Sequence, residues 1–329
     1  MNPGADLEEQ LAAADQAERL SALGQLIAGA EPVPRRGVNL HLHTNYSFSS
    51  FRSPCEAVWQ GVREGLAVLG INDHYTTEGF GEFAAACRMA GIPPAFSMEA
   101  VGMEREAEAG GLLINDAGNP GRVYLCAKGV TRTPDPDGPA AGALEGMRAA
   151  LGRRNREMTA RVGLLFLDRL SAAGPSWDEV AGLTPAGNTT ERHIAKAIWQ
   201  KVEALARAAG TESPEMVETL CGRTVASGDP AETQNLIRSA LLKAGGPCFV
   251  PEEPEAFVPM DEMRLVFLGF GAIPTYPVLL DPVTGFEENV PALLDELAAR
   301  GWLTLEVIPQ RNTRERLGAL VSEARRRGW

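Results

Sequence analysis

Val38-Asn39-Leu40-His41-Leu42-His43-Thr44 is a short apolar run that carries two of the four histidines in a chain of 329 residues. Read as an extended strand, its side chains alternate between faces, so Asn39, His41 and His43 share one face while Val38, Leu40 and Leu42 share the other. Two imidazoles then point the same way, about 7 Å apart along the strand. A pair of imidazoles at that spacing favours a metal site, and two exposed strand histidines are the plainer alternative.

Moving outward, short apolar runs alternate with helical segments, the pattern of a parallel α/β sheet. The first strand covers Val38 to Thr44. A helix starts at Pro54, capped by Ser53, and runs to about Leu66. Further strands are expected at Val68 to His74 and Ala95 to Val101, with a helix over about Glu78 to Ala90 between them. Leu112 to Ile114 and Val123 to Ala127 read as two more strands around a turn at 116–121. From about Ala140 to Gly245 only helical spacing is found, which marks a helical insertion. Strands return at Ala272 to Leu280 and Leu303 to Pro309, with helices over Glu287 to Arg300 and Thr313 to Arg327. The expected organisation is an N-terminal helical extension over 1–35, a first barrel part over 36–138, the insertion over 139–250 and a second barrel part over 251–329.

Composition narrows the function. A net charge of -12, from 31 basic and 43 acidic residues, speaks against nucleic acid or an anionic membrane as partner, because both require a basic face. A small anionic substrate would instead be met by a few well-placed arginines. The five cysteines, at 55, 87, 126, 221 and 248, form no Cys-x-x-Cys and suggest buried thiols in a reducing, cytoplasmic setting. Charges interrupt the alanine- and leucine-rich stretch Asp6 to Ala28, so it reads as neither a signal peptide nor a spanning helix. As an amphipathic helix outside the barrel, it is a possible contact between subunits.

Chemistry in such folds gathers at the carboxyl ends of strands. Three successive strand ends here offer donors: His41 and His43, then Asp73 and His74, then Glu99. Imidazole with carboxylate suits zinc, manganese or iron. Arg311 and Asn312 follow the last strand and are candidates to bind an anion or a carbonyl. Arg192 and His193 follow the capping sequence Asn188-Thr189-Thr190-Glu191 at a helix start, a place that favours a phosphate or carboxylate.

His41-Leu42-His43-Thr44 with Ser47, Gly65-Leu66 leading to Ile71-Asn72-Asp73-His74, and Ser97-Met98-Glu99 together resemble the polymerase and histidinol phosphatase (PHP) family. The resemblance is strong over about residues 37–101. Later, Arg192-His193-Ile194-Ala195 is similar to a motif in the helical insert of some PHP phosphoesterases. It implies a distorted (β/α)7 barrel with up to three metals and hydrolysis of phosphate esters. By position, His41, His43 and Glu99 match ligands of a first metal, and His74 matches a ligand of another.

The departures are as informative. Phe48 stands where many members carry an acid, Val123-Tyr124-Leu125-Cys126 lacks a histidine common on that strand, and Pro274-Thr275-Tyr276-Pro277 resembles an Ala-His-Pro motif without its histidine. No closing Asp-x-His strand is recognisable. What survives fits one divalent metal rather than three. The leading expectation is a phosphoesterase using metal-activated water, with His74, Asp73 or His193 moving protons and Arg192, Arg311 and Asn312 binding substrate. Two alternatives stand beside it. One is a mononuclear enzyme of C-N or C-O hydrolase or lyase type, and the other is a binding protein whose cleft is filled by Phe48, Leu125 and Tyr276.

Overall fold

The structure is a computed structural model that describes residues 3–226, 229–279 and 283–329. In chain order the helices are α1 Pro3–Gln10, α2 Gln16–Gly29, α3 Pro54–Arg63, α4 Phe80–Ala90, α5 Arg105–Ala109, α6 Pro139–Leu170, α7 Trp177–Ala181, α8 Glu191–Ala209, α9 Ser213–Cys221, α10 Pro230–Ile237, α11 Met260–Gly269, α12 Val290–Ala299 and α13 Arg314–Arg326. The strands are β1 Gly37–Leu42, β2 Leu66–His74, β3 Pro94–Met103, β4 Arg122–Lys128, β5 Ile273–Val278 and β6 Leu305–Val307. Leu280, the expected end of β5, lies outside the described residues.

Contacts divide the chain into two units. The first comprises the described residues up to Leu42 together with Pro54–Met147 and Phe257–Trp329, and the second comprises His43–Ser53 and Arg148–Ala256. In the first unit the strands are hydrogen-bonded in the order β1-β2-β3-β4-β5-β6, a curled sheet interleaved with helices and of the distorted (β/α) barrel type. Its direction is mixed. β1, β2 and β3 run parallel, as do β5 and β6, but β4 is antiparallel to both neighbours. Residue alternation has the same period in either direction, which is why a wholly parallel sheet is the simplest reading of the sequence.

Leu112 to Ile114 is not a strand among the described residues. Asn115 takes over the pairing instead: its amide Nδ2 donates to the Tyr124 and Pro277 carbonyls at 3.0 Å each, and its Oδ1 accepts from Tyr124 N at 2.7 Å. One side chain thus mimics a rung between β4 and β5 where the strands separate.

Two glycines set how β1 and β2 meet. Gly65, with φ 67°, turns the chain from α3 into β2, and its carbonyl accepts from Arg36 N and Gly37 N. Gly70, inside β2, leaves room for the β1 backbone: an added Cβ would stand 2.8 Å from Leu40 Cα. The ladder of β1 on β2 is irregular there, with a register shift between Asn39 and Leu42. β1 therefore leans across β2 rather than running flush with it.

The second unit is helical and has its own core, built from Met158, Val162 and Phe166 of α6, Ile198 and Val202 of α8, and Leu220 of α9. Helix α8 starts at a capping box, in which the Thr190 side chain meets the N3 backbone while His193 reaches back to Thr190 N, and ends at Gly210 with φ 67°. No helix among the described residues is long and apolar enough to cross a membrane.

Candidate metal centre

The strand register builds the site. His74 of β2 pairs with Glu99 of β3, Glu99 with Cys126 of β4, and Cys126 with Thr275 of β5. Cross-strand partners share a face, so these four side chains form one layer over four strands. Pro277, two residues after Thr275, pairs with Glu306 of β6 and carries the same face to the far edge of the sheet. Asn72 and Lys128 belong to that face by the same alternation.

His41 closes the arc. Its Nδ1 lies 2.9 Å from Glu306 Oε2 and its Nε2 lies 3.3 Å from Glu99 Oε2, so one imidazole of β1 stands between carboxylates of β3 and β6. Burial pulls the His41 pKa down, but the hydrogen bonds and charges of Glu306 and Glu99 outweigh it and raise the value to about 9. Burial would raise Glu306, yet His41 and Lys128 hold its carboxyl below the usual range. Lys128 Nζ sits 2.6 Å from Glu306 Oε1 and donates to Leu40 O at 3.2 Å. Cys126 Sγ faces Glu306 Oε2 at 3.4 Å, and burial, with the Glu99 charge next, pushes its thiol well above the ordinary value.

Asn72 binds the group together. Its Nδ2 lies 3.2 Å from His41 Nε2, 3.3 Å from His41 Nδ1 and 3.6 Å from Cys126 Sγ. Its side chain is wholly buried, and Oδ1 has no hydrogen-bond partner among the described residues. Two carboxylates, an imidazole, a thiol and an orphaned amide oxygen within one layer are a donor set suited to a divalent cation. His41, Cys126 and Glu306 bring one ligand atom each to within 4.8 Å of one another.

The other residues singled out from the sequence fall as follows. His74 Nε2 lies 3.8 Å from Glu99 Oε2. Immediately after it, Tyr75 adopts φ 55°, an uncommon conformation for a bulky residue, held by Tyr75 N donating to Glu99 O at 2.8 Å and by its hydroxyl accepting from Val101 N at 3.1 Å. This ends β2 abruptly and fixes the level of His74. Asp73 is buried and, by alternation, shares the face of its partner Met98 rather than that of His74 and Glu99. His43 follows the last residue of β1 directly and is half-buried.

Asn312 Nδ2 donates to Ile308 O at 2.9 Å and Val278 O at 3.3 Å, tying the loop after β6 to the end of β5. Arg311 is exposed and its charge lowers the pKa of Glu287. Leu125 and Tyr276 lie on the face opposite Cys126 and Thr275, and the Tyr276 hydroxyl hydrogen-bonds Glu287 at 3.1 Å, so neither fills the inner layer.

In the helical unit, His193 Nδ1 accepts from Thr190 N at 2.9 Å, which leaves its proton on Nε2. Burial, with the Lys196 charge adding to it, lowers its pKa to about 4. The ring meets Phe48 edge-on with centroids 5.2 Å apart, and the Arg192 guanidinium lies over the same Phe48 ring, 5.4 Å from its centroid. Arg192 and Arg238 flank a cavity of about 80 Å³ that Phe48, Gln234 and Asn235 also line.

Residues 39–153 match the family profile of the PHP domain. The chain matches that family over about a third of its length. Its fold is similar to that of a provisionally assigned metal-dependent phosphoesterase of Bifidobacterium adolescentis, at 23% identity and a TM-score of 0.55, covering 90% of this chain and 85% of that one. It is also similar to an amidohydrolase of Chromobacterium violaceum solved with sulfate bound and no metal, at 18% identity and a TM-score of 0.57, covering 89% of this chain and 84% of that one. No curated protein matches the chain.

Two donors of the inner layer escape the motif reading. Glu306 is the single charge in Leu305-Glu306-Val307, a strand foreseen from its apolar pattern, and a lone carboxylate in such a strand is the signal that marks it. Cys126 is legible as a departure from the family histidine, yet a thiol is itself a donor.

Proposed function

We propose that this chain is a metal-dependent hydrolase that cleaves phosphate esters of small anionic molecules. The observation that carries this reading is His41 held between Glu99 and Glu306 on the inner face of a PHP domain. His41, His43 and Glu99, with His74, are the proposed ligands of a single zinc, manganese or iron ion. A divalent cation held there supplies Lewis acidity and lowers the pKa of water. His74, beside Glu99, is proposed either as that further ligand or, where it does not ligate, as the group that passes a proton at Nε2, with Asp73, its neighbour in the chain, as the second proton-handling candidate. His193 is neutral at pH 7 and donates from Nε2. Arg192 and Arg311 are the proposed contacts to substrate oxygens, with Asn312 fixing the loop that carries Arg311. The five cysteines are all free thiols and buried, which is compatible with the cytoplasmic location we propose.

Amide hydrolysis is the second reading, favoured by the amidohydrolase assignment of the Chromobacterium violaceum neighbour. The test is a panel of phosphomonoesters, phosphodiesters and amides offered to metal-loaded protein. Metal-dependent turnover of a phosphate ester, reduced roughly 100-fold or more by His41→Ala, is expected. Turnover of amides alone would contradict it.

A further inference from the structure

Three features hold more than that reading uses: an apolar groove beside α11, the arginine-flanked cavity at Phe48, and the layer that joins Cys126 to His41 and Glu306. The third carries an inference. We infer that Cys126 and Glu306 are metal ligands, so that the ion is held by a thiolate and a carboxylate beside His41 rather than by imidazole and oxygen donors alone. This rests on reading the inner face as a metal centre, and it puts the ion on the Nδ1 side of His41, with two ligands that the histidine motif does not contain.

The geometry is specific. A tetrahedral zinc has bonds of about 2.0 Å to nitrogen or oxygen and about 2.3 Å to sulfur, so its donors stand roughly 3.3 to 3.7 Å apart. Cys126 Sγ lies 3.4 Å from Glu306 Oε2, and His41 Nδ1 lies 2.9 Å from the same oxygen. Two of the three separations thus fall within about 0.4 Å of that range, and all three donors lie within 4.8 Å of one another. Lys128 occupies Oε1, which leaves Glu306 to offer Oε2 alone, as a single-oxygen ligand. The same ammonium offsets one negative charge of the assembled shell. Asn72 Nδ2 approaches both the ring and the sulfur, and its buried Oδ1 stays without a partner among the described residues. Amides in this position orient ligands and tune their basicity.

Other buried thiols of the chain differ in kind. Among the described residues, Cys126 is the one cysteine that joins a histidine and a carboxylate in a group able to hold an ion. On binding, a metal-sulfur bond forms, the S-H bond breaks and the proton leaves to solvent, with no change of oxidation state. A thiolate in the shell favours zinc or iron over manganese or magnesium, which prefer oxygen. His41 has only one nitrogen to offer an ion at a time, so ligation on the Cys126 and Glu306 side uses Nδ1 while ligation on the Glu99 side uses Nε2.

The experiment loads the metal-stripped full chain with cobalt(II) and records its absorption spectrum. A thiolate ligand gives an intense sulfur-to-cobalt charge-transfer band in the near-ultraviolet, which imidazole and carboxylate ligands do not. The band is expected in the wild type and in Cys87→Ser, and its loss is expected in Cys126→Ser. Glu306→Gln should weaken cobalt binding at least about 10-fold. The wild-type spectrum decides even where a variant fails to fold. Stoichiometric cobalt without the band, or a band that persists in Cys126→Ser, overturns the thiolate inference and leaves the metal centre standing. Failure to bind cobalt at all overturns both.

Discussion

His41 meets opposing demands, since burial disfavours its charge while two carboxylates favour it, and the carboxylates win. A divalent cation beside either ring nitrogen supplies the acid on that side with the positive charge that a proton on His41 otherwise provides. Asn72 is the residue that holds this arrangement without being charged. Asn72→Ala should lower metal affinity 10- to 100-fold, read by titration of a chelating dye, with the far-ultraviolet circular dichroism unchanged. Equal affinity in the variant would mean that the amide does not orient His41. His41 and His74 each lie within 4 Å of Glu99, because the face follows from alternation and the adjacency of β1, β2 and β3 from their short strand-helix-strand connections. Glu306 and Cys126 needed the fold, since their nearness to His41 depends on the curl of the sheet and on the reversed direction of β4.

Among elements, β1 is decisive. Its lean across β2 depends on Gly70, where any side chain would meet the Leu40 backbone at 2.8 Å. Gly70→Ala should destabilise the fold by about 2 kcal/mol and weaken metal binding together, measured by urea unfolding and metal titration. A variant with unchanged stability would show that β1 has slack. The elements β1 to β3, α3 and α4 were legible because apolar periodicity and Pro54 mark them clearly. The direction of β4 was not, since the side-chain period is identical in parallel and antiparallel strands. Leu112 to Ile114 misled for a related reason: it has the composition of a strand, but the Asn115 side chain supplies the hydrogen bonds a strand would have made.

At the scale of the molecule, stability should carry a signature on the face of β5 opposite the candidate metal centre. Burial raises the Glu287 pKa to about 7, despite hydrogen bonds from Leu279 N and the Tyr276 hydroxyl and the Arg311 charge, which act the other way. The folded state therefore keeps this proton to a higher pH than the unfolded chain, whose glutamate titrates near 4.3. Its stabilising contribution is full below that value and is lost as pH rises through about 7, a change on the order of 3 kcal/mol. Glu287→Gln should flatten the slope of unfolding free energy between those limits, and an unchanged slope would rule Glu287 out as its source.

The proposed division of labour, in which the inner face of the sheet holds an ion and arginines meet an anion, rests on the ion being there. Elemental mass spectrometry of protein purified without added metal, compared with His41→Ala, tests this most directly. A single equivalent of zinc, iron or manganese is expected in the wild type, and its loss in the folded variant. A wild type that holds no metal, even after incubation with all three, would contradict it.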